Sequence, residues 1–151
     1  MSANPKSNLE RLGEAMDPFA DADLVVLLRS ESEVDRIRSA LEEIAGPDLV
    51  TLMIGAESGL TGTYHGPEGF INAWQDFTAT FQHLHSAIEE LIEKDDVVLV
   101  ETHQTGTTAT AGVEIENDSA GVFRFRNGNL KQAEFHLDRA AARRAAGIES
   151  G

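Results

Sequence analysis

The side chains of this sequence best suited to acid–base or metal chemistry are its histidines: His65, His83, His85, His103 and His136. His83 and His85 stand two residues apart. On a strand that spacing puts both imidazoles on one face, as a metal ion would require. No second such pair accompanies them, so no metal is expected. His136 follows Glu134 at the same spacing, near the end of the run Leu130 to Asp138. There is no cysteine, which removes thiolate nucleophiles, disulfides, iron–sulfur ligation and cysteine–zinc sites. There is no serine nucleophile elbow, no phosphate-binding loop and no dinucleotide fingerprint. Gly59-Leu60-Thr61-Gly62 has the glycines of a phosphate loop but no lysine, and reads as an ordinary loop. No cofactor is expected.

Charge narrows the partners. The chain has 151 residues, 26 acidic and 12 basic, for a formal charge of −14. Phosphate backbones are bound by Lys and Arg that displace counterions, so nucleic acid is excluded as a partner. Anionic lipid is excluded on the same ground. The cluster Glu89, Glu90, Glu93, Asp95 and Asp96 reads as a solvated sheet rim. No apolar run approaches the ~20 residues a membrane helix needs. The first residues lack the basic start and apolar core of a signal peptide. A cytoplasmic protein without membrane association is the expectation.

Periodicity supplies the elements that must position these groups. Residues 7–16 suit a short helix, with Leu9, Leu12 and Met16 on one side. Leu24 to Leu28 is apolar throughout and fits a buried strand or a buried helix equally. Ser32 and Asp35 open a helix carrying Val34, Ile37, Leu41 and Ile44, which Gly46-Pro47 stops. Residues 49–54 read as a strand and residues 55–66 as a glycine-rich loop. Pro67 suits a first helical turn. Phe70, Trp74, Phe77 and Phe81 then follow at helical spacing, predicting a helix that runs through Phe81. This stripe is a core face, and a ligand pocket built against it is compatible with that reading. Residues 97–100 and the Thr-rich stretch 102–112 suit strands. Asn127-Gly128 is a strong hairpin signal, and Arg139 to Ala146 closes as a helix at Gly147. Residues 84–94 look helical by local pattern.

A two-residue turn at Asn127-Gly128 pairs Arg126 with Asn129, Phe125 with Leu130, Phe123 with Gln132 and Gly121 with Glu134. Phe123, Phe125, Leu130, Gln132, Glu134 and His136 then share one face. Val122, Arg124, Lys131, Ala133, Phe135 and Leu137 share the other. Both faces hold large apolar groups, so both must be covered. The aromatic helix is one cover. A partner subunit is the economical second, which predicts a homodimer through the sheet. Arg124, facing the same way as Phe135, could orient an anionic ligand or serve as a surface charge at a sheet edge.

The strings GTYHGPEGFINAWQDF, EELIEKDDVVLV and VFRFRNGNLKQAEFHLDRAAARRAAGI, in this order, resemble the SnoaL-like branch of the nuclear transport factor 2-like superfamily. The likeness runs from about Pro47 to Ile148. It makes residues 47–148 the core and residues 1–46 an N-terminal helical extension of the same domain. The resemblance implies an α+β cone-shaped roll, a curved antiparallel sheet wrapped around helices with an apolar pocket, often dimeric. It assigns residues 84–94 to a strand against their local look. Members include ketosteroid isomerase, limonene epoxide hydrolase, polyketide cyclases, dehydratases and non-catalytic binding modules, so the fold does not fix the activity.

Where the epoxide hydrolase carries an Arg and an Asp on its middle strand, this chain has Thr102 and Gln104. Where it carries a second Asp on its last strand, this chain has Phe135. That chemistry is therefore not expected. A count back from Tyr64 places Glu57 where the isomerase has its base, and the cyclases carry acidic or His groups near His136. The reading is a small-molecule-binding protein without an intact catalytic set. Tyr64, Trp74, Phe77, Phe81, Thr102, Gln104, Arg124 and Phe135 would meet a small apolar ligand. The alternatives are an isomerase, cyclase or dehydratase using Glu57 or His136, and a structural dimeric module with a filled cavity.

Overall fold

The structure, a computed structural model, describes residues 7–19, 22–55 and 59–148, with backbone alone at residues 55 and 59–61. Helix α1 (Asn8–Met16) starts on a capping box between Ser7 and Glu10. The apolar run that fitted strand and helix equally is a helix, α2 (Leu24–Leu27). Asp23 decides the matter, because its side chain accepts from the Val25 N–H and caps the first turn. Helix α3 (Glu31–Ile44) begins earlier than Ser32, because Ser30 is its cap. It buries Val34, Ile37, Leu41 and Ile44 as their spacing predicts.

Gly46-Pro47 does more than stop α3, since both residues already belong to strand β1 (Ala45–Gly55). Most of the expected glycine-rich loop is strand as well. β2 (Gly59–His65) pairs antiparallel with β1, aligning Thr51 with Tyr64 and Leu52 with Thr63. Helix α4 (Gly66–Thr78) carries Phe70, Trp74 and Phe77 but ends before Phe81. The Thr78 hydroxyl turns back to the Trp74 carbonyl at 2.8 Å, and the Thr80 N–H donates to Phe77 O. Phe81 instead opens strand β3 (Phe81–Lys94), still within 5.3 Å of the Phe77 ring centroid.

The remaining elements are β4 (Val97–Thr108), β5 (Glu114–Arg126), β6 (Asn129–His136) and α5 (Arg139–Ala146). Residues 84–94 are strand because β4 pairs along their whole length, and tertiary pairing overrides the local helical pattern. The sheet order is β2-β1-β6-β5-β4-β3. The chain thus forms the expected curved α+β fold. The sheet is mixed rather than wholly antiparallel, because β1 runs parallel to β6.

The β5–β6 hairpin turns where expected, with positive φ at Asn127 and Gly128. Arg126 pairs with Asn129 and Phe125 with Leu130, as the turn dictates. The register then shifts by one, and the rest of the predicted pairing fails. Gln132 faces Arg124, Ala133 faces Phe123, Glu134 faces Val122 and Phe135 faces Gly121. Lys131 is the extra residue of a bulge, which moves every later β6 side chain to the other face relative to β5. Phe123 and Phe135 therefore share the concave face, and Arg124 and Glu134 share the convex one.

The main core lies between the concave face and helices α1 to α4, with Leu12, Phe19, Leu24, Ile37, Phe70, Trp74 and Phe123 in one cluster. On the convex face α5 buries Ala142 and Ala146 against Leu99, Ala120 and Val122. Part of the second cover assigned to a partner subunit is thus supplied by the chain itself. Among the described residues, no helix is long and apolar enough to cross a membrane.

Candidate functional site

Between the concave face and the helices lies a cavity of ≈ 160 Å³. Phe19, Trp74, Phe77, Phe123 and Phe135 stand in its wall, with rings meeting edge to face as their quadrupoles favour. Trp74 and Phe135 have centroids 4.8 Å apart at 77°, Phe123 and Phe135 5.5 Å at 83°, and Trp74 and Phe77 5.7 Å at 88°. Gly121, opposite Phe135 on β5, makes room for this floor. A Cβ there would stand 2.8 Å from Phe123 Cε1 and 3.2 Å from Phe135 Cε1. Met16, Phe19 and Leu24 close the cavity from the N-terminal segment.

One edge of the cavity is polar. Ser86, Thr102, Gln104 and Ser119 line it from β3, β4 and β5. The hydroxyls of Thr102 and Ser119 bond each other at 2.8 Å. Gln104 is 4% exposed, and among the described residues nothing hydrogen-bonds its side-chain amide. The indole N–H of Trp74 is buried without a partner. Unpaired polar groups in an apolar surround are unfavourable, and a ligand that pairs with them recovers that loss. Among the described residues lining the cavity there is no Asp, Glu, Lys or Arg.

Trp74, Phe77, Thr102, Gln104 and Phe135 thus come together around one space, whereas Tyr64, Phe81 and Arg124 do not line it. The Tyr64 hydroxyl donates to Asp76 Oδ2 at 2.8 Å, which raises its pKa, chiefly through that bond. Phe81 packs behind Phe77. Arg124 lies on the convex face, where Nε donates to Glu134 Oε2 at 2.7 Å and the guanidinium reaches Ala145 O at 2.7 Å. It ties α5 to the sheet and points no cation at the cavity. Glu57 lies outside the described residues. His83 pairs with Asp23, Nδ1 to Oδ2 at 2.7 Å.

His136 borders the cavity, yet its Nε2 lies 3.3 Å from Glu134 Oε1. By strand alternation its ring belongs to Glu134's face, opposite Phe135. Its Nδ1 is buried without a partner. Burial alone would raise the Glu134 pKa. Hydrogen bonds from His136, Arg124 and Gln132, with the Arg124 charge, outweigh it and hold the carboxyl at about 2. A carboxyl depressed in the folded state stabilises above its unfolded value and loses that contribution as pH falls through the folded one. Between pH 4.5 and about 2 the fold should therefore lose up to about 3 kcal/mol from this group. Urea unfolding at pH 6 and pH 3 checks this. Glu134→Gln should flatten the difference, and an equally steep loss in the variant would contradict it.

Sequence reasoning missed the N-terminal wall and the face of Phe123. Met16 and Phe19 carried only an apolar signal, and the bulge at Lys131 brought Phe135 round to the face of Phe123. The sequence profile of the SnoaL-like domain matches residues 34–133. The chain belongs to the SnoaL-like domain family. Solved structures of this fold are similar along nearly the whole SnoaL-like chain. A nuclear transport factor 2-like protein of unknown function from Burkholderia pseudomallei is 23% identical with a TM-score of 0.60, covering 92% of this chain and 97% of its own. A candidate SnoaL-like polyketide cyclase from a Jannaschia species is 15% identical with a TM-score of 0.64, covering 99% and 100%. TerC, co-crystallised with polyporic acid, is 21% identical with a TM-score of 0.62, covering 93% and 98%. At these identities the likeness shows the fold alone. No curated protein sequence matches the chain.

Proposed function

We propose that this SnoaL-like protein binds a small, largely apolar, ring-bearing molecule in the cavity walled by Trp74, Phe77, Phe123 and Phe135. The observation that carries the reading is an aromatic-bearing space of ≈ 160 Å³ with the buried, unpaired indole N–H of Trp74 in its wall and the Gln104 amide on its edge. An apolar cavity of about 150 Å³ is known to admit benzene, so a single substituted ring is the matching size. The wall holds no carboxylate, ammonium or guanidinium among the described residues, and an ion buried there would go uncompensated. The ligand is therefore neutral. That TerC was crystallised with polyporic acid supports small-molecule binding on this fold and does not bear on the ligand's charge.

Trp74 is the chain's one tryptophan and stands in the wall. Titration with toluene should change its fluorescence saturably and raise the unfolding midpoint with ligand concentration. A fluorescence trace that stays flat or drifts linearly, with no midpoint shift, would contradict binding.

A further inference from the structure

We infer that the cavity selects a neutral aromatic carbonyl compound, whose oxygen pairs with the amide of Gln104 and the hydroxyl of Ser86. This rests on the binding reading above and names the ligand class. Ser86 and Gln104 are direct cross-strand partners on β3 and β4, and both line the cavity. Side chains so paired have Cβ atoms about 4.5–5.5 Å apart, so one ligand atom can meet both. Among the described residues neither side chain has a hydrogen-bond partner of its own. The neighbouring hydroxyls of Thr102 and Ser119 are already bonded to each other. Ser86 and Gln104 thus form the corner of this edge that is free to pair with a ligand.

The chemistry of that corner defines the ligand. A carboxamide and a hydroxyl both donate, and a carbonyl oxygen has two lone pairs to accept from them. Neither group carries charge, no Lys or Arg lines the cavity among the described residues, and His136 Nε2 is already set against Glu134, so a carboxylate would be desolvated without compensation. The aromatic part of the same ligand would lie across the cavity against Trp74 and Phe135. A hydrocarbon ring of equal size fits the walls but leaves Gln104 unpaired, which disfavours it relative to the carbonyl compound.

Binding of toluene, acetophenone and benzoate to the wild-type chain and to Gln104→Leu, read by Trp74 fluorescence and by calorimetry, tests this. The wild type should bind acetophenone about tenfold or more tightly than toluene and should not bind benzoate. Gln104→Leu keeps the side chain's bulk, and should lose the acetophenone preference while keeping or improving toluene binding. Ser86→Ala, a milder change, should reduce the preference in part, and serves if Gln104→Leu does not fold. An acetophenone-to-toluene ratio that is unchanged in the variants overturns the inference and leaves the binding reading standing. Tight benzoate binding overturns it as well. Failure of every ring compound to bind the wild type overturns both.

Discussion

Trp74→Ala is expected to destabilise the protein by roughly 3–5 kcal/mol, the range for deleting a large aromatic from a packed core. Trp74 is 7% exposed and is the hub of the aromatic wall. Its ring meets Phe19 at 6.3 Å, Phe77 at 5.7 Å and Phe135 at 4.8 Å. Removing it takes away contacts from three elements at once, because Phe19 comes from the N-terminal segment, Phe77 from α4 and Phe135 from β6. The space left merges with the existing cavity rather than collapsing, which favours the upper part of that range. Urea unfolding followed by far-ultraviolet circular dichroism measures it. A loss below about 1 kcal/mol, the level of an exposed substitution, would mean that the wall is not part of the core.

The second large effect lies on the opposite face. Arg143→Ala should destabilise by about 3 kcal/mol, because it strips a buried carboxylate of its partner. Glu101 is 2% exposed under α5, and Arg143 grips it with two guanidinium nitrogens, Nη2 at 2.8 Å from Oε1. Those hydrogen bonds hold the Glu101 carboxyl below its usual range against the opposing effect of burial. Arg139 adds a bond to Glu89 at 2.6 Å and another to Thr102 O at 2.6 Å, so α5 is clamped along one side. Combining Arg143→Ala with Glu101→Leu should recover much of the loss, since the stranded charge, more than the missing bond, is what destabilises. Urea midpoints of the single and double variants check this. A double variant less stable than Arg143→Ala would contradict the account.

Much of this fold was legible in the sequence. Asn127-Gly128 fixed the hairpin turn, because two consecutive positive φ angles favour that pair. The Phe70, Trp74, Phe77 spacing marked the helix against the concave face, though not the point where Thr78 ends it. Family likeness placed residues 84–94 in a strand where local pattern pointed to helix. What escaped depended on single residues with no periodic signature. The bulge at Lys131 exchanged the faces of everything beyond it on β6, bringing Phe135 to the face of Phe123 and away from Arg124. β2 hid in a glycine-rich run because its strand character comes from pairing with β1. The homodimer was inferred from a hairpin with two apolar faces, and α5 buries Val122 and Leu99 within one chain. That removes part of the reason for a partner.

At the candidate site, residue types were more legible than their assembly. Trp74 and Phe77 of the aromatic stripe meet Thr102, Gln104 and Phe135 around one cavity. The contribution of Met16 and Phe19 needed the folded N-terminal segment, which no spacing rule brings back across the sheet.

The central claim is that a neutral ring enters this cavity, and the cavity's own methyl groups report on it most directly. Met16 and Met53 line it on different sides. With 13C-methyl methionine labelling, toluene added to saturation should shift both resonances along a single binding curve. Resonances of Met16 and Met53 that stay in place at saturating toluene would contradict the account.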